Sequence, residues 1–337
     1  MKRKGLIRAA VLLSGVSAVT GCGNRNISVL KPAGPVGDSQ MDLIRLSLVI
    51  MTLVVIVVSV LYIYAVVRFR ERPGQKKEIP EQVEGSKKLE LLWTIIPILL
   101  LVILGIPTVS TTFQLNKKPE PAESMRVNVT GYQYWWAFEY PDYGFETANE
   151  VHIPAGKKVE FIMTSHDVIH AFWVPSLGGK QDLSPGRINR LVLQADKPGI
   201  YEGRCTELCG AGHALMNFRV IVQQPEDFEA WVNRLKKPDS QPDNDTAAEG
   251  KKLFAQNCMG CHAIQGAGYK VLGQTGPELT GLSYRTRLAG VVNNTKEDLS
   301  RWITNPQRIK PGNHMPAFDH LTEKQRKALT EYLSGLK

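Results

Sequence analysis

Two short stretches of this 337-residue chain carry residue types suited to metal and redox chemistry. The first runs Cys205-Thr-Glu-Leu-Cys209-Gly-Ala-Gly-His213-Ala-Leu-Met216, with the spacing C-x3-C-x3-H-x2-M. Soft sulfur combined with imidazole selects copper, most clearly in sites that transfer electrons. Zinc asks for four closed ligands, usually C-x2-C paired with a second C-x2-C or with H-x3-H, and methionine serves it poorly. A Cys205–Cys209 disulfide is the other alternative in an exported chain, and it leaves His213 and Met216 without a role. A mononuclear blue-copper site uses one thiolate, so two thiols in one loop suggest a binuclear centre bridged by both. The second stretch, Cys258-Met-Gly-Cys261-His262, has the C-x-x-C-H pattern of c-type haem attachment. In that pattern two thioethers fix the haem vinyl groups and the histidine supplies a nitrogen to iron. Reading C-x-x-C as a thioredoxin-like pair would require a βαβ setting that is missing here.

The five cysteines fall as two tight pairs and one near the N-terminus, which argues for metal or cofactor chemistry over a disulfide scaffold. The formal net charge is +9. No basic helix or interleaved aromatic–basic pattern supports nucleic acid as a partner. Many of the positive charges lie in the first residues and in one short loop, so membrane topology explains them better.

Several elements must position these groups. Residues 1–21 read as a signal peptide, with Lys2, Arg3, Lys4 and Arg8 ahead of an apolar run too short to span a bilayer. The run ends in Val19-Thr-Gly-Cys22, which resembles the bacterial lipoprotein box and implies cleavage before Cys22 and its lipidation. Residues 22–41 read as an exposed, exported linker. Residues 42–115 form a two-helix transmembrane hairpin, with spans over Leu46–Val67 and from Leu91 past Ile106. The loop 68–90 between them carries Arg68, Arg70, Arg72, Lys76, Lys77, Lys87 and Lys88, which places it in the cytoplasm and both ends of the chain outside.

Residues 120–235 show short segments rich in Val, Tyr, Trp, Phe and Ile between turn signals, the pattern of an all-β sandwich or barrel. Expected strands include Met125–Val129, Tyr132–Tyr140, Lys158–Met163, Arg190–Leu193 and Asn217–Val222. Residues 236–244 read as a linker that permits motion, and 245–337 as an all-α domain closed by a Thr322–Gln325 capping box and an amphipathic helix.

Residues 125–222 resemble the copper domain of subunit II of haem-copper cytochrome oxidases. The resemblance rests on Asp167-Val-Ile-His170-Ala-Phe, Gln181-Asp-Leu-Ser-Pro-Gly-Arg187, the loop 205–216 and, in the hairpin, Glu90-Leu-Leu-Trp-Thr-Ile-Ile-Pro97. It implies a cupredoxin Greek-key barrel holding a binuclear CuA centre. In that family Cys205 and Cys209 bridge both coppers, His170 and His213 cap one each, and Met216 and the Glu207 carbonyl are weak axial ligands. The Glu207 carboxylate would bind a magnesium ion shared with subunit I, and Glu90 would lie near the entrance of a proton path. Tyr132-Gln-Tyr134-Trp135-Trp136 matches the region where electrons enter, with Tyr134 standing where the family usually has Trp. His166 reads as a surface histidine or a support to a ligand, and His152 and His320 as solvated.

Residues 245–337 resemble small class I cytochromes c. There Gly-Pro277 would position His262, and Met315 would be the distal iron ligand, with His314 as the alternative. A Met/His pair raises haem potential. Trp302 would pack on the haem or bond a propionate.

Together the motifs resemble the caa-type subunit II, a copper subunit with a fused cytochrome c domain. The resemblance implies electron flow from cytochrome c through haem c and CuA to subunit I, coupled to proton pumping, in a bacterial cell membrane with subunits I and III as partners. The alternatives are a copper-bearing small subunit of a nitric oxide reductase and a free-standing tethered carrier. A quinol-oxidase subunit II is disfavoured, because those lack the copper ligands kept here.

Overall fold

The structure is a computed structural model that describes residues 27–70, 84–120, 123–268 and 275–337. The signal segment, Cys22, Arg72, Lys76 and Lys77 lie outside the described residues. Long apolar runs form two helices, α1 (Pro35–Phe69) and α2 (Lys87–Leu115), each with an 18-residue stretch whose mean hydropathy is 2.9 and 2.6 respectively. At 1.5 Å per residue, the 35 residues of α1 reach about 52 Å, well beyond a hydrocarbon layer of about 30 Å. The excess is anchored outside. The Ala33 N–H donates to the Ser176 carbonyl at 2.7 Å, and the Asp196 N–H donates to the Ala33 carbonyl at 2.9 Å. A Cβ on Gly34 would run into the Gln194 carbonyl, and one on Gly37 would lie 3.1 Å from the Ser176 carbonyl. The expected exposed linker 22–41 is therefore corrected: its C-terminal part is seated on the β domain, and the helix begins at Pro35.

The β domain contains strands β1 (Ser124–Tyr132), β2 (Trp135–Tyr140), β3 (Phe145–Ala148), β4 (Glu150–Pro154) and β5 (Lys158–Ser165). It continues with β6 (His170–Trp173), β7 (Lys180–Leu183), β8 (Asn189–Leu193), β9 (Gly199–Cys205) and β10 (Asn217–Gln223). They form two sheets, ordered β3-β2-β1-β5-β8 and β4-β10-β9-β6-β7, parallel only at β1–β5 and β4–β10. This is the sandwich of a cupredoxin-like domain. Trp136, Phe138, Phe161, Phe172 and Phe218 fill it. The segment Tyr132–Tyr140, expected as one strand, is a hairpin: Tyr132 pairs with Trp135 across a Gln133–Tyr134 turn. The turn contains no Gly, Asn or Asp, the residues that usually announce one, and it puts Tyr134 at a tip.

Helix α3 (Pro225–Leu235) follows the last strand and buries Phe228, Trp231, Val232 and Leu235 against the sandwich. It also corrects the reading of His152 as solvated. That ring is buried, stacked on Trp231 at 4.1 Å, with Nδ1 bonded to Gln223 Oε1 at 2.9 Å.

The C-terminal domain is built on α4 (Asp245–Asn257), α5 (Lys296–Thr304) and α6 (Glu323–Ser334), and the Thr322–Gln325 capping box is formed. Helices α4 and α6 cross where Gly250 meets Ala328, since a Cβ there would strike the Ala328 carbonyl. The linker is more constrained than its composition suggests. Asp239 and Lys337 exchange both backbone hydrogen bonds, at 2.8 and 3.0 Å.

Burial pushes the His152 pKa from 6.5 down to about 4. A buried neutral histidine binds its proton more readily once unfolded, so its contribution to stability is full above pH 6.5 and is lost as pH falls toward 4. That window is worth on the order of 3 kcal/mol. Denaturant unfolding of the β domain should lose stability across it, and His152→Gln should flatten the loss; an unchanged pH profile contradicts this.

Candidate metal centres

His170 opens β6, Cys205 closes β9, and the pairing of Phe172 with Cys205 brings them together. The β9–β10 connection then returns over them through a short 3-10 turn, His213–Leu215. Cys205 and Cys209 are both free, with sulfurs 3.9 Å apart. Around this pair, His170 Nδ1 lies 3.9 Å from Cys205 Sγ, His213 Nδ1 3.6 Å from Cys209 Sγ, and Met216 Sδ 3.8 Å from Cys209 Sγ. The Glu207 carbonyl lies 3.3 Å from Cys205 Sγ. Every copper-ligand candidate from the sequence thus converges on one buried point.

Neighbours fix these donors. Asp167 Oδ1 accepts from His170 Nε2 at 2.8 Å, which turns Nδ1 toward the sulfurs; such outer carboxylates orient metal-binding histidines. The same carboxylate accepts the Gln133 N–H at 2.7 Å. Burial raises the Asp167 carboxyl, but the hydrogen bonds from His170, Gln133 and Val168 outweigh it and hold the pKa below the ordinary value. A Cβ on Gly131 would lie 2.8 Å from His170 Cδ2, so the strand must be bare there. The two thiols compete for one negative charge. Hydrogen bonding from Cys209 holds Cys205 far down, and the same contact pushes Cys209 up. Two thiolates so close are stable together only with cations between them, so the donor set fits a soft metal centre with bridging sulfurs.

In the C-terminal domain Cys258 caps α4, and His262 follows directly. His262 Nδ1 donates to the Pro277 carbonyl at 2.8 Å, and a Cβ on Gly276 would press on the ring at 2.7 Å. The other ring nitrogen is left free for a metal. A cavity lined by Cys258, Cys261, His262, Trp302, His314 and Met315 among apolar side chains separates this motif from the 313–316 loop. That apolar hollow between a fixed histidine and a methionine fits a covalent haem. Lys310 also lines it, 2% exposed, with Nζ donating to the Ala289 carbonyl at 2.9 Å. Burial pushes its pKa down to about 7.

Gln133, Tyr134 and Trp135 of the β domain line the same cavity. The Tyr134 ring fits between the copper loop and the C-terminal domain. A Cβ on Gly212 would lie 2.5 Å from it, and the His314 ring centroid is 6.2 Å away. Trp136 is separated from Tyr134 and Trp135: it is fully buried in the sandwich behind His170, with ring centroids 6.0 Å apart. Its expected place where electrons arrive is corrected to packing under the site. His166 is exposed, stacked on Tyr132 at 4.8 Å, and outside the donor cluster. His320 is exposed, as expected. The Glu207 side chain is exposed beside Leu208, which is 80% exposed, and Glu90 is exposed in the first turn of α2.

A membrane hairpin, a cupredoxin-like domain with a paired-thiol centre and a cytochrome c domain define a membrane-anchored electron-transfer chain. Family models agree segment by segment: cytochrome c oxidase subunit II, transmembrane domain, over residues 24–111; the periplasmic domain of the same subunit over 144–224; and cytochrome c over 247–337. Cytochrome c oxidase subunit 2 of Alkalihalophilus pseudofirmus is 42% identical over 325 residues, covering 95% of this chain and 94% of the relative. That of Bacillus subtilis is 42% identical over 335 residues with the same coverage. Quinol oxidase subunit 2 of Bacillus subtilis is 38% identical over 229 residues, covering 67% of this chain and 71% of the relative. The solved periplasmic domain of cytochrome oxidase subunit II from Bradyrhizobium japonicum is 35% identical, covering 32% of this chain and 91% of that one, with a TM-score of 0.32. The chain belongs to the cytochrome c oxidase subunit 2 family, in the form fused to cytochrome c. Its cofactors are CuA and haem c.

If Asp167 orients His170, Asp167→Ala should lower copper affinity by roughly 10–100-fold, as loss of an outer partner does elsewhere. Competition with a chelator measures this; unchanged retention contradicts it.

Proposed function

We propose that Cys205 and Cys209 bridge the copper pair, with His170, His213, Met216 and the Glu207 carbonyl completing it. In the same reading Cys258 and Cys261 carry the haem, with His262 and Met315 on its iron. The observation that carries this is the convergence of the first set on two sulfurs 3.9 Å apart, facing the cavity of the second set across Tyr134. Haem c and CuA supply the one-electron couples through which the chain, as subunit II, takes electrons from cytochrome c and delivers them to subunit I of a haem-copper oxidase. The protein's own work is to hold these groups still and dry. The sandwich fixes His170 and Cys205 on paired strands, and Trp136 and Met216 close the floor beneath them.

Met315 is preferred to His314 because the His314 side chain is exposed and faces Tyr134, whereas Met315 is half-buried, with its backbone N–H donating to Asn313 Oδ1 at 2.9 Å. Tyr134, with Trp135, is the face where electrons arrive. The exposed Glu207 carboxylate is free to share a magnesium ion with subunit I, and Glu90 is free to serve a proton path there. Subunit III and a lipid on Cys22 complete the proposed assembly, with loop 68–90 in the cytoplasm and both soluble domains on the outer face.

Cys205→Ser should abolish the visible and near-infrared bands of a mixed-valence copper pair and leave the haem bands intact; a surviving copper spectrum contradicts the bridging role. Met315→Ala should remove the sulfur-to-iron absorption and lower the haem potential. If His314→Ala does so instead, the axial assignment is wrong.

A further inference from the structure

The C-terminal domain is docked on the β domain, and one carboxylate stands at the centre of the contact. Glu150 opens β4, is 2% exposed, and belongs to neither metal site. Its oxygens accept the Thr286 N–H at 2.9 and 3.0 Å, the Thr286 hydroxyl at 2.5 Å and the Arg287 N–H at 2.8 Å. All of these donors come from the other domain. From the β side, Arg219 Nη1 donates to the Thr286 hydroxyl at 2.7 Å. Arg219 is itself held by Glu202 at 3.0 Å, and Glu202 approaches Arg287 at 3.8 Å. A buried carboxylate is costly unless its lone pairs are filled, and here the filling groups are found only in the docked arrangement.

The backbones on both sides are shaped for this approach. Gly290, at φ +75°, faces the Asn217 carbonyl, and Gly312, at φ +83°, lies against Ala211 and Gly212 of the copper loop, with room for a Cβ at neither position. The Arg234 guanidinium covers the Tyr284 ring at 5.3 Å. The contact therefore runs from Glu150, past Gly290, to the place where Gly312 and His314 meet the copper loop and Tyr134.

We propose that Glu150 is the latch that holds the cytochrome c domain over Tyr134, so that electrons cross between two domains in one fixed arrangement and not by a swinging domain. It is a positioning residue, acting through Thr286 and Arg287. This rests on the reading of Tyr134 as the face where electrons arrive. One consequence is that this face is covered by the chain's own domain, and a soluble donor meets the cytochrome c domain instead.

The test uses the intact complex with both cofactors bound and two substitutions from opposite sides, Glu150→Lys and Thr286→Asp. Charge-assisted bonds to a buried carboxylate are strong, so either substitution should cut the hydrogen-exchange protection of the Thr286 and Arg287 amides by about tenfold or more. Flash-initiated transfer from haem to copper should slow in step, with both absorption spectra and both potentials unchanged, and Glu150→Gln should fall between. Unchanged protection in both variants overturns the latch. Lost protection with an unchanged transfer rate overturns its positioning role. If Glu150→Lys loses its copper bands, Thr286→Asp decides, because Thr286 is exposed and lies in the other domain. Copper or haem bands missing from the unsubstituted protein would instead sink the cofactor reading and leave the exchange result to judge the docking.

Discussion

The ring of Tyr134 lies between the copper loop and the cytochrome c domain, and most of the architecture serves to keep it there. Gly210 and Gly212 give it space on one side, and Gly312 and His314 close it from the other. The hairpin that presents it is pinned by Asp167, which accepts the Gln133 N–H and holds the His170 ring. One carboxylate thus ties the His170 ring to the tip that faces the cavity of the cytochrome c domain. Two buried thiols at 3.9 Å add the second constraint. They cannot both ionise without cations between them, and the sandwich keeps them from moving apart to relieve the strain.

The outer anchoring follows the same logic. Gly34 and Gly37 seat the start of α1 on the β domain, so the membrane helix is tied to the domain that carries the copper loop. The paired backbone bonds between Asp239 and Lys337 shorten the free length of the tether to the cytochrome c domain. A subunit that must pass electrons to a partner in the membrane gains from both, since a small misplacement costs rate far more than it costs stability.

The proposed metal ligands were legible as candidates because their chemistry is local. Cys205, Cys209, His213 and Met216 lie within one loop, and Cys258, Cys261 and His262 within one turn. The membrane helices were legible from length and apolarity. The hairpin at Gln133–Tyr134 was not, because alternation runs through it without a turn residue. Helix α3 carried a readable spacing at Phe228, Trp231, Val232 and Leu235, but it follows a strand-rich stretch whose pattern masks it. The burial of His152 depends on that helix. The Glu150–Thr286 contact joins residues 136 apart in sequence and leaves no periodic trace. Composition pointed the other way, since a linker rich in Lys, Pro, Asp and Ser suggests free motion.

The central claim is that haem c and CuA are held in one geometry across Tyr134. Dipolar electron paramagnetic resonance between the oxidised haem iron and the copper pair, in the intact complex, reads that geometry directly. A buried contact is screened little by salt, so the account predicts a single narrow distance distribution, the same at low and high ionic strength. A broad or multiple distribution, or one that shifts with salt, would contradict it.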